Sequence, residues 1–233
     1  MRPTAGATVR WQRRLLGALL LGIGFIGNAT AGTQREEPLI DKVRTALAAS
    51  VGGMAPPRAS FGDIEDRLAY LRWLGAMSER LKKRKGEHAV RVEFLESVWY
   101  ESKRAGLEPA LVLGLIQVES GFKKYAISSA GARGYMQVMP FWTRSIGNGD
   151  AATLFHMQAN LRFGCVILRH YLDIEKGDLF MALGRYNGSR GRAEYPNAVF
   201  ANRKHWLFDD AAPAASAQAR STAATSAVLA GRT

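Results

Sequence analysis

A glutamate near the end of an almost entirely apolar segment could act as a general acid. Residues 109–120 read Pro-Ala-Leu-Val-Leu-Gly-Leu-Ile-Gln-Val-Glu-Ser, and Gly121 follows as a natural helix stop. Burial of Glu119, together with its place at the negative end of a helix, would disfavour the carboxylate and raise its pKa. Such a pKa suits proton donation near neutral pH. The alternative is a surface glutamate on the polar edge of a core helix, and this segment alone does not decide between the two.

Two later segments could form parts of a ligand groove. Residues 128–140 contain two glycines that permit close backbone approach, methionines that offer adaptable apolar contact, and Gln137, which can both donate and accept hydrogen bonds. In residues 185–189, Tyr186 could place its hydroxyl near a carboxyl, and Asn187 could bind an acetamido group or cap the backbone. For this last segment an ordinary turn with a packed tyrosine is the alternative.

The first 31 residues have the three-part layout of a secretory signal. A leading segment with four arginines and no acid precedes an apolar run over residues 15–26, and Ala29-Thr30-Ala31 has the form of a signal-peptidase site. The apolar run is too short to span a bilayer comfortably. We therefore expect cleavage after Ala31 and a periplasmic protein, with an uncleaved membrane anchor as the alternative.

The charge of the chain suits a polyanionic partner. The 233 residues carry a formal net charge of +12, and loss of the leader's four arginines would leave 28 basic and 20 acidic residues, or +8. Nucleic acid, anionic lipid and an acidic cell-wall polymer all fit such a charge. Export argues against nucleic acid and favours an envelope polymer that carries carboxylates. The basic cluster at residues 82–85 is interpreted as a solvated helix end, with contact to an anionic surface as the alternative.

Apolar spacing of three and four residues predicts a mainly α-helical protein. Helices are expected over residues 39–50, 61–81, 88–105, 109–120, 159–176 and 179–186. Because the helix at 109–120 is apolar on nearly every side, it should lie at the centre of the domain. Residues 32–60 are interpreted as a linker with one short helix, residues 61–208 as the domain, and residues 209–233 as a disordered tail rich in alanine and serine.

The sequence gives no sign of a metal centre, a disulfide or another cofactor. Cys165 is the single cysteine and lies in an apolar stretch, which favours a buried, inert thiol. The histidines are scattered and lack the spacing of a ligand pair on one helical turn, at positions His88, His156, His170 and His205. We therefore expect a monomer that uses side-chain chemistry alone.

Taken in order, the three segments resemble the lysozyme-like lytic transglycosylases of the soluble lytic transglycosylase catalytic domain family. That family has a Glu-Ser pair after an apolar helix, seen here as Glu119-Ser120. It then has the pattern Ser-Pro-x-Gly-Ala-x-Gly-Leu-Met-Gln-x-x-Pro, which residues 128–140 follow with Ser129 for proline and Tyr135 for leucine. An Ala-Tyr-Asn segment follows, matched by residues 185–188 with arginine for alanine. Asn160 and Gly164 between these segments also fit the family, and the resemblance covers roughly residues 95–206.

The resemblance implies a goose-type lysozyme or lytic transglycosylase fold and a reaction that needs one carboxylate. Glu119 would protonate the glycosidic oxygen between N-acetylmuramic acid and N-acetylglucosamine in peptidoglycan strands, and would then take a proton from the C6 hydroxyl as a 1,6-anhydro ring closes. Tyr186 would orient Glu119 by a hydrogen bond. The resemblance also implies a role in saccharide binding or in loop shape for Ser120, Ser128, Met136, Gln137 and Asn187. Tyr135 could add a stacking surface, and Arg185 a cation near the substrate.

Three alternatives remain open at this point. A water-using muramidase of the same fold would need a second carboxylate, with Asp150 or Asp173 as the candidates. A peptidoglycan-binding protein without catalysis would have no need of a buried acid. A membrane-surface protein would use the leader as an anchor and residues 82–85 as a lipid contact.

Overall fold

A computed structural model describes residues 34, 36, 38–39, 41–52 and 60–210 of the chain. These residues form eight α-helices and one short 3₁₀ helix over Ala151–Phe155. The helices are α1 Asp41–Val51, α2 Ile64–Leu81, α3 His88–Arg104, α4 Pro109–Ser120, α5 Phe141–Ile146, α6 Met157–Ile174, α7 Leu179–Asn187 and α8 Glu194–Trp206. The mainly α class predicted from the sequence is confirmed.

Two predicted segments fall outside this description. The expected secretory leader over residues 1–31 and nearly all of the expected tail lie beyond the described residues. Among the residues that are described, no helix combines the length and the apolar character needed to cross a membrane.

Helix α4 is the central element of the domain, as its sequence predicts. Pro109 occupies its first turn, where the missing amide proton costs no hydrogen bond. Gly121 ends it with a left-handed backbone at φ 56°, a conformation that favours glycine. Ten of the twelve residues of α4 are buried. Because both ends are fixed in this way, the side chain of Glu119 is held in the last turn of a helix that cannot shift along its axis without losing its caps.

Helix α8 packs on α4 through a glycine. A Cβ atom placed at Gly114 would lie 2.7 Å from the backbone nitrogen of Arg203 and 2.9 Å from its Cα. Real Cβ atoms do not approach backbone atoms so closely, so only glycine permits the observed spacing of the two helices. On the same helix, Val199 and Trp206 are fully buried in the core. The close contact at Gly114 therefore sets the spacing between the middle of α4 and the last turn of α8.

A buried ion pair joins α3 to α6 beneath the same core. The guanidinium of Arg162 donates to Glu101 Oε1 over 2.7 Å, and both side chains are almost completely buried. Loss of either partner of such a buried pair is expected to be strongly destabilising. This pair fixes α6, which carries Asn160 and Gly164, against the remainder of the domain.

The sequence predicted the long helices to within a few residues but missed α5 and α8. The six-residue helix α5 follows Pro140 directly. In α8, Pro196 lies in the first turn, and its apolar residues alternate irregularly with Asn197, Asn202 and Arg203. A proline so near a helix start is a usable signal. The weak amphipathic pattern of α8 nevertheless kept this helix from being predicted.

Substitution of Gly114 by alanine should force α8 away from α4. Because the added Cβ meets backbone atoms rather than the end of a flexible side chain, we expect a loss of roughly 1–3 kcal/mol in the free energy of unfolding, typical of overpacked cores. Urea unfolding monitored by circular dichroism measures this loss. Gly75→Ala is the matched control, since Gly75 lies in α2 and a Cβ placed there meets no described atom within 4 Å. The control should be neutral or stabilising by up to about 1 kcal/mol, and equal effects of the two substitutions would contradict the packing argument.

Candidate active site

The carboxyl group of Glu119 is buried, and only one of its two oxygens has a hydrogen-bond partner among the described residues. Its side chain is 6% exposed, and Oε1 accepts a hydrogen bond of 2.6 Å from the hydroxyl of Tyr195. Oε2 is buried and has no hydrogen-bond partner among the described residues. Burial raises the pKa of Glu119 from 4.5 to about 8, and the hydrogen bond from Tyr195 opposes part of that rise. The raised pKa predicted from the sequence is confirmed, with burial as its main cause.

The hydrogen-bond partner of Glu119 comes from α8, which the sequence did not predict. Tyr195 is 5% exposed, and burial and the nearby Glu119 hold its pKa well above the ordinary value. The expectation that Tyr186 would orient Glu119 through a hydrogen bond is wrong. The Tyr186 hydroxyl donates instead to the carbonyl of Met136 over 2.8 Å, although Tyr186 lies close enough for Glu119 to raise its pKa.

A loop over residues 126–138 lies between Glu119 and α6 and is held by Asn160. The amide oxygen of Asn160 accepts the N–H of Met136 at 2.8 Å, and its amide nitrogen donates to the carbonyls of Arg133 and Leu154. Gly164 lies one turn later on α6. A Cβ atom at this position would lie 2.3 Å from the sulfur of Met136, so the absence of a side chain leaves room for the Met136 thioether. Asn160 and Gly164, the two α6 positions that matched the family pattern, therefore hold the segment that contains Met136.

The polar residues predicted to hold saccharide or shape the loop form hydrogen bonds to backbone groups of the loop. Gln137 is 1% exposed, and its amide nitrogen donates to the carbonyls of Ala126 and Gly134. The hydroxyl of Ser120 donates to the carbonyl of Tyr135 over 2.7 Å. The bonds of Gln137 close the loop on itself, and the bond from Ser120 ties the loop to the end of α4.

The remaining predicted site residues also lie beside this loop. The hydroxyl of Ser128 accepts the N–H of Ala132 over 3.1 Å and closes the turn between them. Met136 is fully buried, and its backbone carbonyl accepts the hydrogen bond from Tyr186. Asn187 is 5% exposed at the end of α7, directly after Tyr186.

Two departures from the family pattern do not have the effect expected from the sequence. Tyr135 offers no exposed stacking surface, because it is 2% exposed, packs 4.8 Å from Phe94 between ring centroids, and accepts a hydrogen bond from Lys85. The guanidinium of Arg185 is paired with a carboxylate, because its Nε donates to Glu175 Oε1 over 2.8 Å. Both side chains instead fasten neighbouring elements together.

The two candidate second carboxylates are engaged by their own neighbours. Asp150 caps the 3₁₀ helix by accepting the N–H of Ala152 over 2.8 Å. Asp173 pairs with Arg169 one turn earlier on α6. Within the described part of the chain, no group of three or more histidine, cysteine or acidic side chains is placed to hold a metal ion. Cys165 is buried, as predicted, and burial raises the pKa of its thiol.

The raised pKa of Glu119 should appear in the pH dependence of stability. The folded carboxyl has a pKa of about 8 and the unfolded one about 4.5, so the folded state binds more protons between these values. The stabilisation is therefore complete below pH 4.5 and is lost as pH rises towards 8, by up to about 1.4 kcal/mol per pH unit. Glu119→Gln should remove this slope, so that the variant gains stability over the wild type as pH increases. Thermal unfolding of both proteins from about pH 4 to about pH 9 measures the gap, and a constant gap would contradict the raised pKa.

Loss of the Tyr195 hydroxyl should raise the pKa of Glu119 further. The hydroxyl donates to the carboxylate and favours its ionised form, so Tyr195→Phe removes an effect that lowers the pKa. Carboxyl ¹³C NMR on protein labelled at glutamate follows the titration directly. Tyr186→Phe is the matched control, because its hydroxyl bonds Met136 rather than Glu119, and it should shift the titration less. An unchanged or lowered pKa in Tyr195→Phe would show that the hydrogen bond does not act as described.

Comparison with known proteins gives a family for this arrangement. Residues 97–208 match the family model of the transglycosylase SLT domain. The chain is 32% identical over 129 residues to the transglycosylase of Enterobacteria phage PRD1, covering 52% of this chain and 47% of the phage protein. It is 38% identical over 84 residues to membrane-bound lytic murein transglycosylase C of Actinobacillus pleuropneumoniae serotype 5b, covering 33% of this chain and 23% of that protein. The chain thus spans less than half the length of these relatives.

A solved structure is also similar to the chain. The lytic transglycosylase Slt of Pseudomonas aeruginosa, solved as an inactive mutant, matches 60% of this chain and 27% of its own, with a TM-score of 0.39 and 21% identity. The family resemblance noted in the sequence is confirmed by the domain match, which includes Glu119, the loop and Tyr195. Residues 97–208 of the chain are thus similar to the transglycosylase SLT domain family, and the described residues have the mainly helical class that the sequence predicted.

Proposed function

We propose that the protein is a peptidoglycan lytic transglycosylase with Glu119 as its catalytic acid and base. The observation that carries the proposal is the buried carboxyl of Glu119, with Oε2 unoccupied and a pKa of about 8. At neutral pH such a group holds a proton and has an open position from which to donate it. The transglycosylase SLT domain around it, and relatives named as lytic murein transglycosylases, support peptidoglycan as the substrate.

The first step is proton donation to the glycosidic oxygen. Oε2 of Glu119 gives its proton to the oxygen that joins N-acetylmuramic acid to N-acetylglucosamine, and the bond to the anomeric carbon breaks. The acetamido group of the muramoyl sugar stabilises the positive anomeric carbon. Donation leaves Glu119 ionised in a buried site, and the hydroxyl of Tyr195 at 2.6 Å stabilises that charge.

The second step returns the proton to Glu119. The ionised carboxylate takes the proton of the C6 hydroxyl on the same muramoyl sugar, and the C6 oxygen forms a bond to the anomeric carbon. The product is a 1,6-anhydromuramoyl end, and no water is consumed. Because the attacking hydroxyl belongs to the same sugar, the reaction gains the effective concentration of an intramolecular step.

The local partners of Asp150, Asp173 and Glu175 support a mechanism with one carboxylate over hydrolysis. An inverting or retaining hydrolase usually holds a second carboxyl across the scissile bond. Asp150 caps the 3₁₀ helix, and Asp173 forms an ion pair with Arg169. Glu175 is bound by Arg185 and Arg190, which hold its pKa down at about 2.

An envelope location is part of the same proposal. The predicted leader would deliver the protein to the periplasm, where its substrate lies, and the net charge of +8 that remains after loss of the leader suits a wall polymer that carries carboxylates. Relatives are named as membrane-bound lytic murein transglycosylases, which agrees with work at the envelope.

Digestion of purified peptidoglycan tests the proposal directly. Mass spectrometry of the products should show 1,6-anhydromuramoyl ends, which are lighter by one water than the reducing ends left by hydrolysis. Glu119→Gln should lower the rate by roughly 10²–10⁴-fold, the usual contribution of a general acid and base. Glu194→Gln is the matched control, because Glu194 is an exposed residue of α8 next to Tyr195, and it should keep the wild-type rate. Reducing ends would indicate a hydrolase. A failure of the intact protein to release any products would contradict both a transglycosylase and a hydrolase.

A further inference from the structure

A basic surface lies where the ends of α2 and α4 meet. Residues 82–85, which follow α2, contribute four cations, and residues 123 and 124, which follow α4, contribute two. The guanidinium of Arg84 lies 5.6 Å from the centre of the Phe122 ring, so the two segments are in contact. The basic surface is defined by Lys82, Lys83, Arg84, Lys85, Lys123 and Lys124.

Two contacts fix the basic surface to the elements that build the candidate site. Lys85 donates to the hydroxyl of Tyr135 over 2.7 Å and lies 4.6 Å from the centre of that ring. The backbone N–H of Lys123 donates to the carbonyl of Ser120 over 3.2 Å. Because Lys123 is four positions after Glu119, their Cα atoms are at most about 15 Å apart. The basic surface is therefore held next to the helix end that carries the proposed acid.

Most of the positive charge on the basic surface has no carboxylate partner. Lys83, Arg84 and Lys123 are exposed to solvent. Among the six side chains, Lys82 alone forms an ion pair within the described part of the chain, with Glu79 at 3.5 Å. Exposed cations without such partners are free to meet the anionic groups of a ligand.

The helix ends account for only a small part of this charge. The negative ends of α2 and α4 each carry about half a unit charge, which together offset about one of the six cations. Burial, and then the charge of Lys124, lowers the pKa of Lys85, so the cations lie close enough to repel one another. At one flank, Glu93 and Glu96 line a cavity together with Lys124. The excess of positive charge elsewhere on the surface suits an anionic partner.

A peptidoglycan strand carries anionic groups at the sugar that the proposed reaction attacks. The stem peptide is attached through the lactyl group at C3 of the muramoyl sugar, and its residues bear free carboxylates. When that sugar is bound beside Glu119, the peptide begins at the same helix end as the exposed lysines. An anionic membrane explains less, because a lipid contact would gain nothing from cations placed beside the proposed acid.

We infer that the basic surface binds carboxylates of the stem peptide carried by the muramoyl sugar at the site. The inference rests on the proposed function for the identity of the substrate. Four of the six cations lie ahead of residues 97–208, which match the SLT domain, so a segment outside that match supplies most of the surface. Because the cations do not contact the reacting atoms, they should lower KM for strands with intact peptides and leave kcat unchanged.

Cleavage of strands with and without free carboxylates tests the inference. The substrates are uncrosslinked, peptide-bearing glycan strands and the same strands with their carboxylates capped as methylamides by carbodiimide and methylamine. The double variant Lys83→Gln, Lys123→Gln should raise KM on the uncapped strands about two- to tenfold, the loss expected for two surface charge contacts. On the capped strands the double variant and the wild type should have the same KM.

A matched control removes the same amount of charge elsewhere. Arg67→Gln combined with Lys42→Gln takes two exposed cations from α2 and α1. Arg67 lies about 21 Å along the helix axis before Leu81, the last residue of α2. This control should keep the wild-type KM on both substrates. Thermal unfolding of each variant separates weaker binding from loss of fold.

Co-sedimentation with insoluble peptidoglycan measures binding without any need for cleavage. The charge-reversal variant Lys83→Glu, Lys123→Glu should bind more weakly than the glutamine variant. The difference from the wild type should shrink as sodium chloride is raised from about 0.05 M to about 0.5 M, because salt screens exposed charges. Capping the carboxylates of the peptidoglycan should remove the difference.

Several results would overturn the inference. An unchanged KM for the double variant on uncapped strands would do so, as would equal losses on capped strands or in the matched control. Binding of the wild type to phosphatidylglycerol vesicles, lost in a double variant whose KM is unchanged, would assign the surface to lipid. If the wild type releases no anhydromuramoyl products, the proposed function fails, and co-sedimentation with capped and uncapped peptidoglycan still decides the role of the basic surface.

Discussion

The burial of one carboxyl between α4 and α8 is the constraint on which the rest of the site depends. Glu119 holds a proton near neutral pH because it is removed from water, and α8 packs closely on α4, the helix that carries it. That closeness is possible only at a residue without a side chain, Gly114, where a Cβ would lie 2.7 Å from the backbone of Arg203. The same pair of helices brings Tyr195 to Glu119. The close approach at Gly114 and the hydrogen bond to the acid therefore lie along one helix interface.

The loop beside Glu119 is rigid because its polar side chains are used internally. Gln137, Ser120 and Ser128 each bond to backbone groups of the loop or of its immediate neighbours. Asn160 satisfies three more backbone groups from α6. A surface loop with so many bonds keeps one shape, so the backbone of Met136 stays beside Tyr186. Sequence patterns that resemble a saccharide-binding set can thus reflect the needs of loop geometry instead, since the same side chains serve both purposes.

The sequence predicted those features that depend on local pattern. The apolar run and the terminal Gly121 were sufficient to place α4 and to expect a raised pKa for Glu119. The partner of Glu119 was not predictable in the same way, because Tyr186 and Tyr195 are both tyrosines near a helix end, and only the packing of α8 decides which reaches the carboxyl. The prediction that Tyr135 could add a stacking surface was wrong for a related reason. Its burial depends on Phe94 and Lys85, which are distant in sequence and become neighbours only in the fold.

A single carboxyl that acts as acid and then as base must tolerate both protonation states in one environment. Burial alone would favour the neutral acid so strongly that the ionised form, needed for the second proton transfer, would be costly. The hydroxyl of Tyr195 lowers the pKa of Glu119 and so reduces that cost, while burial keeps the value at about 8. Tyr186, which bonds a backbone carbonyl, supports the loop without adding a second donor to the carboxylate. With Oε1 held by one donor and Oε2 left open, the site balances the two states and leaves one oxygen for the proton exchange that we propose.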